Sequence, residues 1–256
     1  MKIIASLIAL TLMAGPAYAE GFSDAQKKDI NAMIEAYIKE NPKALLDSVV
    51  KYQEEQAAAE QEKMDEGVKT FIPSLKEHAD LPFIGNKDGD VTIVEFFDYN
   101  CGYCKKAYTE LQKIIDEDKK VKVVFIDLPI LGPNSHVVSK WALAAQKQDK
   151  YFDYHKTLMN FQGQKTDETL EKLAKEAGLD VAKLKKDKED PSIEKAIARN
   201  QALATSVSVQ GTPGFIINDQ IIRGYMEAAQ MKEMIKTARN PGDAKDAAKD
   251  AEKKAE

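Results

Sequence analysis

The chain contains two cysteines, Cys101 and Cys104, with two residues between them. An apolar run of strand length, 91–97, ends just before them, and a run of helical character follows. Cys101 would then begin a helix, where free N–H groups and the helix dipole favour a thiolate. We predict that Cys101 is a nucleophile and that Cys104 resolves the mixed disulfide formed at Cys101. The pair would work as a redox-active Cys101–Cys104 disulfide without a bound cofactor.

Two other interpretations of the cysteine pair stay open. A structural disulfide across a two-residue gap closes a very small loop, which would constrain the unfolded chain little, so a redox role is favoured. Two thiolates supply only half of a tetrahedral metal site. The three histidines, His78, His136 and His155, are scattered along the chain, and we interpret them as structural or surface residues. We predict no metal site, with soft Cu(I) as the alternative ligand of the pair.

Glu95 lies six residues before Cys101, inside the apolar strand run. A carboxyl buried there would have a raised pKa and could pass protons to and from Cys104. Strand alternation offers the alternative that Glu95 faces the surface. We favour the buried position and predict a proton relay.

Thr212 and Pro213 precede a second strand-like segment, FIIN. A proline at the start of a strand suits a cis peptide bond. Opposite the cysteine pair, it would leave the Thr212 backbone free to bind an extended substrate segment as an added strand. Between the cysteines, Gly102 and Tyr103 would tune the redox poise.

The elements around these motifs predict an α/β fold. A second buried strand, 121–127, follows the cysteine helix and completes a strand–helix–strand unit. A largely helical block occupies about 134–207, and Trp141 and the segment YFDYH in it are interpreted as core residues. Two strands around Asn218-Asp219 form a predicted hairpin, and an amphipathic helix at 226–238 closes the domain. This order is that of a thioredoxin fold with helices inserted between its halves.

The ends of the chain carry different signals. Residues 1–19 have a positive residue, a short apolar stretch and a small-x-small site, which predict an export signal and a periplasmic protein. A retained signal anchor is the alternative, which the shortness of the stretch disfavours. Residues 240–256 lack large apolar side chains and are predicted to be a disordered charged tail. A net charge of −5 without a basic stripe makes nucleic acid a poor partner.

Residues 20–67 form a predicted N-terminal helical extension. Its apolar residues recur at three- and four-residue spacing, but helices this short cannot bury an apolar face alone. They either pack on the main domain or pair with a second copy through 23–66 to give a dimer or trimer. The polar end of this region is interpreted as a helical spacer or a hinge at Gly67, with a further short helix at 68–80. The main domain would then span 68–239.

The chain resembles the DsbA family of thiol–disulfide oxidoreductases. The resemblance lies in IVEFFDYNCGYCK, in GTPGFIIN and in the helical block between them, over about 81–238. It implies a thioredoxin fold, a cis peptide before Pro213, and a substrate groove to which Gly102, Tyr103 and Thr212 contribute. The segment from Phe22 to Gln56 resembles the N-terminal helical region of the ScsC and Com1-like branch, whose members can oligomerise and have been linked to disulfide shuffling and copper tolerance.

The chain departs from strongly oxidising DsbA proteins, which typically carry Pro-His between the cysteines and Val before the cis-proline. Here the pair is Gly102-Tyr103 and the residue is Thr212, choices similar to those of the isomerase DsbC. Losing the histidine removes a positive partner of the thiolate, so a less oxidising site is expected. We predict an enzyme that leans to isomerase or reductase, acting on unfolded or misoxidised exported proteins with a membrane partner of the DsbB or DsbD type. A strong dithiol oxidase and a copper-binding or chaperone-like protein are the alternatives.

Overall fold

The structure, a computed structural model, describes residues 22–240, without the side chains of residues 60 and 63–65. The predicted export signal, residues 1–19, and nearly all of the predicted charged tail lie outside the described residues. By its contacts the chain divides into two compact units, one ending at Ala58 and the other beginning at Ala59. Within the described residues, no helix is both long and apolar enough to cross a membrane.

The second unit is built on a five-stranded sheet. Its strands are β1 (Phe83–Gly85), β2 (Val91–Phe97), β3 (Val121–Asp127), β4 (Gly214–Ile217) and β5 (Gln220–Arg223). The order across the sheet is β1-β3-β2-β4-β5, with β2 and β3 parallel and the other neighbours antiparallel. The central strand β2 is buried on both faces, which explains its nearly continuous apolar sequence.

The helices confirm the predicted thioredoxin fold with a helical insertion. Helix α3 (Gly102–Glu117) connects β2 to β3 and carries the cysteines at its start. The insertion consists of α4 (Pro133–Ala144), α5 (Tyr151–Asn160), α6 (Asp167–Glu176), α7 (Val181–Asp187) and α8 (Pro191–Ser206), and α9 (Ala228–Arg239) follows the β4–β5 hairpin. Trp141, Tyr151 and Tyr154 are buried, as expected for core residues.

Two apolar cores lie on opposite faces of the sheet. Alternate residues of β2 separate them: Ile93 packs with α3 and most of the insertion, whereas Val94 packs with the end of α8. Val68 and Phe71, near the end of helix α2 (Pro42–Ser74), belong to the second core. Helices thus cover both faces of the sheet, and the cysteine loop follows directly from the carboxyl end of the buried strand β2.

Of the two predictions for the polar end of the N-terminal extension, the helical spacer is confirmed and the hinge at Gly67 is wrong, because α2 runs unbroken through Gly67 to Ser74. The separate helix predicted at 68–80 is also wrong, since α2 itself contains Pro73. A Cβ at Gly67 would lie 3.1 Å from the backbone oxygen of Ser206. The glycine therefore allows a close approach between α2 and the end of α8, and a single glycine costs a helix only about 1 kcal/mol.

The first unit contains α1 (Asp24–Glu40) and the start of α2, as predicted for a helical extension. No residue of α1 is buried. Within this unit most large apolar side chains of both helices are exposed, for example 63% for Met33 and for Leu46. Their spacing forms the apolar stripes seen in the sequence, and the helices of this unit do not cover the stripes themselves.

Candidate active site

Cys101 is the N-cap residue of α3, as its position after the apolar strand predicted. Its Sγ accepts a hydrogen bond from the backbone N–H of Cys104 at 3.4 Å, and its S–H donates to the carbonyl oxygen of Thr212 at 3.3 Å. A hydrogen bond with the Cys104 thiol, aided by that N–H, lowers the pKa of the Cys101 thiol to about 6. At neutral pH, Cys101 is therefore mainly a thiolate, the nucleophilic form.

Cys104 lies in the first turn of α3 and is fully buried. Burial raises the pKa of its thiol far above the ordinary range, and the hydrogen bond with Cys101 and the charge of Glu95 act in the same direction. Both cysteines are free, so the structure presents the dithiol form of the pair. One thiol is ready to attack, and the other holds its proton until something removes it.

Glu95 is fully buried in β2, as predicted, opposite Phe125 of β3 and Phe215 of β4. Within the described residues neither carboxylate oxygen has a hydrogen-bond partner. Burial, with a smaller contribution from Cys101, raises the pKa of Glu95 well above its ordinary value. A carboxyl in this place can give up its proton and, once ionised, can take one from the buried thiol.

The Thr212–Pro213 peptide bond is cis, as the resemblance implied. Pro213 comes directly before β4, which pairs with β2, and this pairing carries the Thr212 carbonyl to the Cys101 sulfur across 111 residues of sequence. The Thr212 hydroxyl is buried without a hydrogen-bond partner in the described residues. A substrate segment that pairs with the Thr212 backbone would therefore place its own sulfur beside Cys101.

Gly102 and Tyr103 lie at the open side of the site. The Tyr103 ring is 59% exposed and lies 6.1 Å, between ring centroids, from the ring of Tyr225. A Cβ on Gly102 would meet no atom within 4 Å. This surface is free for contact with a substrate next to the nucleophile.

The loop 98–100 between β2 and α3 holds residues that the sequence analysis did not single out. The buried carboxylate of Asp98 accepts hydrogen bonds from the backbone N–H groups of Asn100, Ile130 and Leu131 and from the hydroxyl of Ser135. These bonds tie the cysteine loop to the start of the insertion. Nothing in the sequence signalled this role of Asp98, because one acidic residue in a predicted loop is normally exposed to solvent.

A buried polar chain lies beneath the same loop. The Tyr99 hydroxyl is 2.9 Å from Nδ1 of His155, and the Tyr151 hydroxyl donates to Asp127 at 2.8 Å. Burial lowers the pKa of His155 to about 3 and raises that of Asp127 to about 7. His155 is thus a neutral core residue, while the half-exposed His136 pairs with Glu194 at 3.0 Å, so both match the structural or surface interpretation.

The comparisons agree with this geometry. The thioredoxin family model matches residues 76–237, more than half of the chain. A thioredoxin-like oxidoreductase from Silicibacter pomeroyi is 40% identical, with 65% of this chain and 96% of that chain covered and a TM-score of 0.63. A linker-deletion mutant of ScsC from Proteus mirabilis is 25% identical, covering 86% of this chain and 98% of that chain, with a TM-score of 0.63.

The thiol-disulfide exchange protein alpha-DsbA2 from Wolbachia pipientis is 30% identical, covering 67% of this chain and 96% of that chain, with a TM-score of 0.61. The matched part of ScsC is longer than the second unit and therefore extends into the first unit, whereas each of the other two structures covers about two thirds of this chain. With the reactive and the buried thiol at the start of α3, the chain belongs to the thioredoxin family and, within it, to the DsbA-like thiol–disulfide oxidoreductases.

Proposed function

We propose that this oxidoreductase rearranges or reduces disulfides in exported proteins, in the periplasm, as one arm of a homo-oligomer. Cys101 attacks a client disulfide, Cys104 resolves the mixed disulfide, Glu95 relays the proton of Cys104, and Gly102, Tyr103, Thr212 and Pro213 dock the client. The observation that carries this proposal is the pairing of a Cys101 thiol of pKa about 6 with a buried, protonated Cys104.

The contrast between the two thiols supports isomerisation. A client bound to Cys101 can be attacked by another of its own cysteines, which gives a rearranged disulfide, or by Cys104, which releases a reduced client. Because burial raises the pKa of Cys104, the second route is slow until a base takes its proton. A slow resolving step leaves the mixed disulfide time to rearrange.

The exposed apolar stripes of the first unit support the homo-oligomer. Ile34 of α1 is 51% exposed and Val49 of α2 is 46% exposed, and both lie among further exposed apolar residues. Pairing with a second and third copy through residues 23–66 would remove this surface from water. Several Cys101 thiolates could then act on one misfolded client, which raises their effective concentration.

The compartment and the redox partner follow from the same chemistry. The export signal predicted at 1–19 would place the protein in an oxidising compartment, where a cysteine pair persists as a disulfide. An isomerase in that compartment needs its cysteine pair kept reduced, so we propose a membrane reductant of the DsbD type as its partner. If the protein were an oxidase instead, its partner would be a membrane oxidant of the DsbB type.

The test combines isomerisation with mass in solution. Leu46→Glu with Val49→Glu places charges in the stripe of α2, and we expect a monomer by light scattering. Reactivation of scrambled ribonuclease should fall about tenfold, because the effective concentration of neighbouring sites is lost. Simple reduction of insulin, which needs one site, should change less than about twofold.

Lys51→Glu is the matched control, since Lys51 is an exposed polar position of the same helix and the charge change is equal. It should leave mass and isomerisation unchanged. Equal ribonuclease reactivation by the monomeric variant and the wild type would contradict the link between oligomer and isomerase.

A strong dithiol oxidase is the second candidate, because a stabilised thiolate favours the reduced protein and makes its disulfide more oxidising. The Cys101 pKa of about 6 lies below that of thioredoxin, about 7, and above that of DsbA, about 3.5. The reduction potential of the Cys101–Cys104 disulfide distinguishes the two candidate functions. For an isomerase or reductase we expect about −180 mV, whereas a value of about −120 mV would favour the oxidase.

A further inference from the structure

An open groove lies beside the cysteine pair and is lined by the two residues between the cysteines, Gly102 and Tyr103. Its cavity volume is about 620 Å³. It runs between the first two turns of α3 and the segment after α5, and its lining includes Gly102, Tyr103, Lys105, Lys106, Met159 and Gln162. The lining therefore combines two lysines with an amide and apolar surface, directly after the nucleophile Cys101.

The lysines of this groove contact neutral groups. Lys105 donates its Nζ–H to the backbone oxygen of Phe161 at 2.5 Å, and Nζ of Lys106 lies 5.2 Å from the centroid of the Tyr103 ring. Among residues 22–240, no carboxylate forms an ion pair with either side chain. Elsewhere on α3 the pattern differs, because Lys113 pairs with Glu110 at 2.9 Å. Within the part of the chain that the structure describes, no ion pair therefore offsets the positive charge at the groove.

A third lysine, Lys165, lies near Lys105 and adds to the positive charge at this place. Lys165 is buried, and its Nζ–H groups donate to the backbone oxygen of Tyr99 at 2.9 Å and to Oδ1 of Asn100 at 3.3 Å. Burial and the neighbouring Lys105 lower the pKa of Lys165 to about 8, so it is mostly charged at neutral pH. Asp98 acts on Lys165 through space, but within the described residues it forms no ion pair with it.

The Thr212 carbonyl contacts the Cys101 sulfur, and the groove begins at Gly102, the residue that follows Cys101. A client held to Cys101 through its own cysteine and paired along Thr212 would therefore lie close to Gly102 and Tyr103, which line the groove. Side chains within a few residues of the client cysteine then reach Lys105 and Lys106. The positive end of the α3 dipole strengthens the attraction for an anion at this place.

We propose that this groove is a client subsite that selects carboxylate side chains placed next to the reactive cysteine of the client. The inference rests on the proposed function, and it names the class of client that reacts fastest. Lys105 and Lys106 contact the client carboxylate, and Lys165 supplies charge behind them. The selected occupant is an acidic protein segment.

The test uses the reduced full-length protein and peptides whose single cysteine carries thionitrobenzoate as a mixed disulfide. The Cys101 thiolate attacks the peptide sulfur, and the thionitrobenzoate thiolate leaves with the electron pair of the broken bond. Cys104 then gives up its proton and attacks Cys101, which releases the peptide thiol and forms the Cys101–Cys104 disulfide. The protein loses two electrons, the peptide disulfide gains them, and the released colour gives the rate.

Three peptides of equal length carry Glu, Gln or Lys on both sides of the cysteine. At low salt we expect the wild type to react about tenfold faster with the Glu peptide than with the Gln peptide. High salt should reduce this ratio, since it screens the lysines. Lys106→Gln should lower the ratio to about threefold, and Lys106→Glu should make the Lys peptide the faster one.

Lys119→Gln is the matched control, because Lys119 is a solvent-exposed lysine just beyond the last residue of α3, at the opposite end of the helix from the groove. It should keep the tenfold ratio. Equal rates with the Glu and Gln peptides in the wild type would overturn the subsite, as would an unchanged ratio in Lys106→Glu. If wild type and Cys101→Ser react alike with every peptide, the proposed function fails instead.

Discussion

Two helices of this protein begin in the same way and lie in opposite surroundings. Ser23 caps α1 by accepting a hydrogen bond from the backbone N–H of Gln26 at 3.3 Å, and Cys101 caps α3 by accepting one from Cys104 at 3.4 Å. Ser23 is exposed, whereas Cys101 is buried against Thr212. The cap is a local motif, so the difference in chemistry must come from what surrounds it.

The bodies of these helices repeat the contrast. Helix α3 buries Cys104, Ala107, Tyr108, Leu111 and Ile114, while α1, of almost equal length, buries none. Both sequences are amphipathic, which shows that an apolar stripe predicts a surface to be covered without naming what covers it. In α3 the cover is the sheet and the insertion, and in α1 we propose a second copy.

The strongest test of the contrast moves the thiol from one cap to the other. Cys101→Ser should lower thiol–disulfide exchange by at least about 1000-fold, since the nucleophile is lost. Adding Ser23→Cys and Cys104→Ser leaves one thiol, at the exposed cap, and should restore no turnover. The pKa of that thiol should stay above about 7.5, because the helix dipole acts alone in water. The absorbance of the thiolate as a function of pH measures this pKa. A pKa near that of Cys101 would show that the helix cap alone is enough to lower the pKa of the thiol.

Burial itself is tested at Asp127, whose pKa is raised to about 7 from an ordinary value of 3.8. The neutral carboxyl stabilises the fold fully below about pH 4, and this contribution is lost as the pH rises through about 7. Relative to Asp127→Asn, the wild type should therefore lose about 4 kcal/mol of unfolding free energy between about pH 4 and pH 8. Urea unfolding across this range measures the difference, and parallel pH profiles of the two proteins would contradict it.

The two helices should also differ in how much a truncated apolar side chain lowers the free energy of unfolding. Leu111→Ala in α3 should lower the free energy of unfolding by about 3 kcal/mol, because it leaves a cavity in the core. Ile34→Ala in α1 should cost less than about 0.5 kcal/mol in dilute protein, where its side chain is exposed. Denaturation at several protein concentrations checks both values. A concentration-independent loss at Ile34 as large as that at Leu111 would mean that its own chain covers α1.

The smallest effect concerns the proton relay. Glu95→Gln keeps the shape of the buried side chain but cannot exchange a proton, so release of client from the mixed disulfide should slow about 10- to 100-fold at neutral pH. Formation of the mixed disulfide should change little, because Cys101 is already a thiolate. Rapid quenching with an alkylating agent resolves the two steps. Asp116→Asn, an exposed acid of α3, is the control, and equal slowing of both steps would argue against a relay.

Much of the fold could be predicted because its signals are local. The apolar run of β2, the breakers around the insertion and the Asn218-Asp219 turn each define an element within a few residues. Gly67 shows where this fails. A glycine in a polar helical run suggests a hinge, but its reason is the backbone oxygen of Ser206, which lies 3.1 Å from where a Cβ would be. Such an approach leaves no trace in the neighbouring sequence.

The sequence by itself determined the cysteine pair, its place at a helix start, and a carboxyl within the adjoining strand, since these depend on residue order and periodicity. Only the tertiary structure decided which groups surround the sulfur atoms. It brought Thr212 to Cys101, joined Asp98 to the insertion, and buried Lys165 beside Tyr99. The pKa of a thiol depends on distances in space and on exclusion of water, so its value was set by residues far away in the chain.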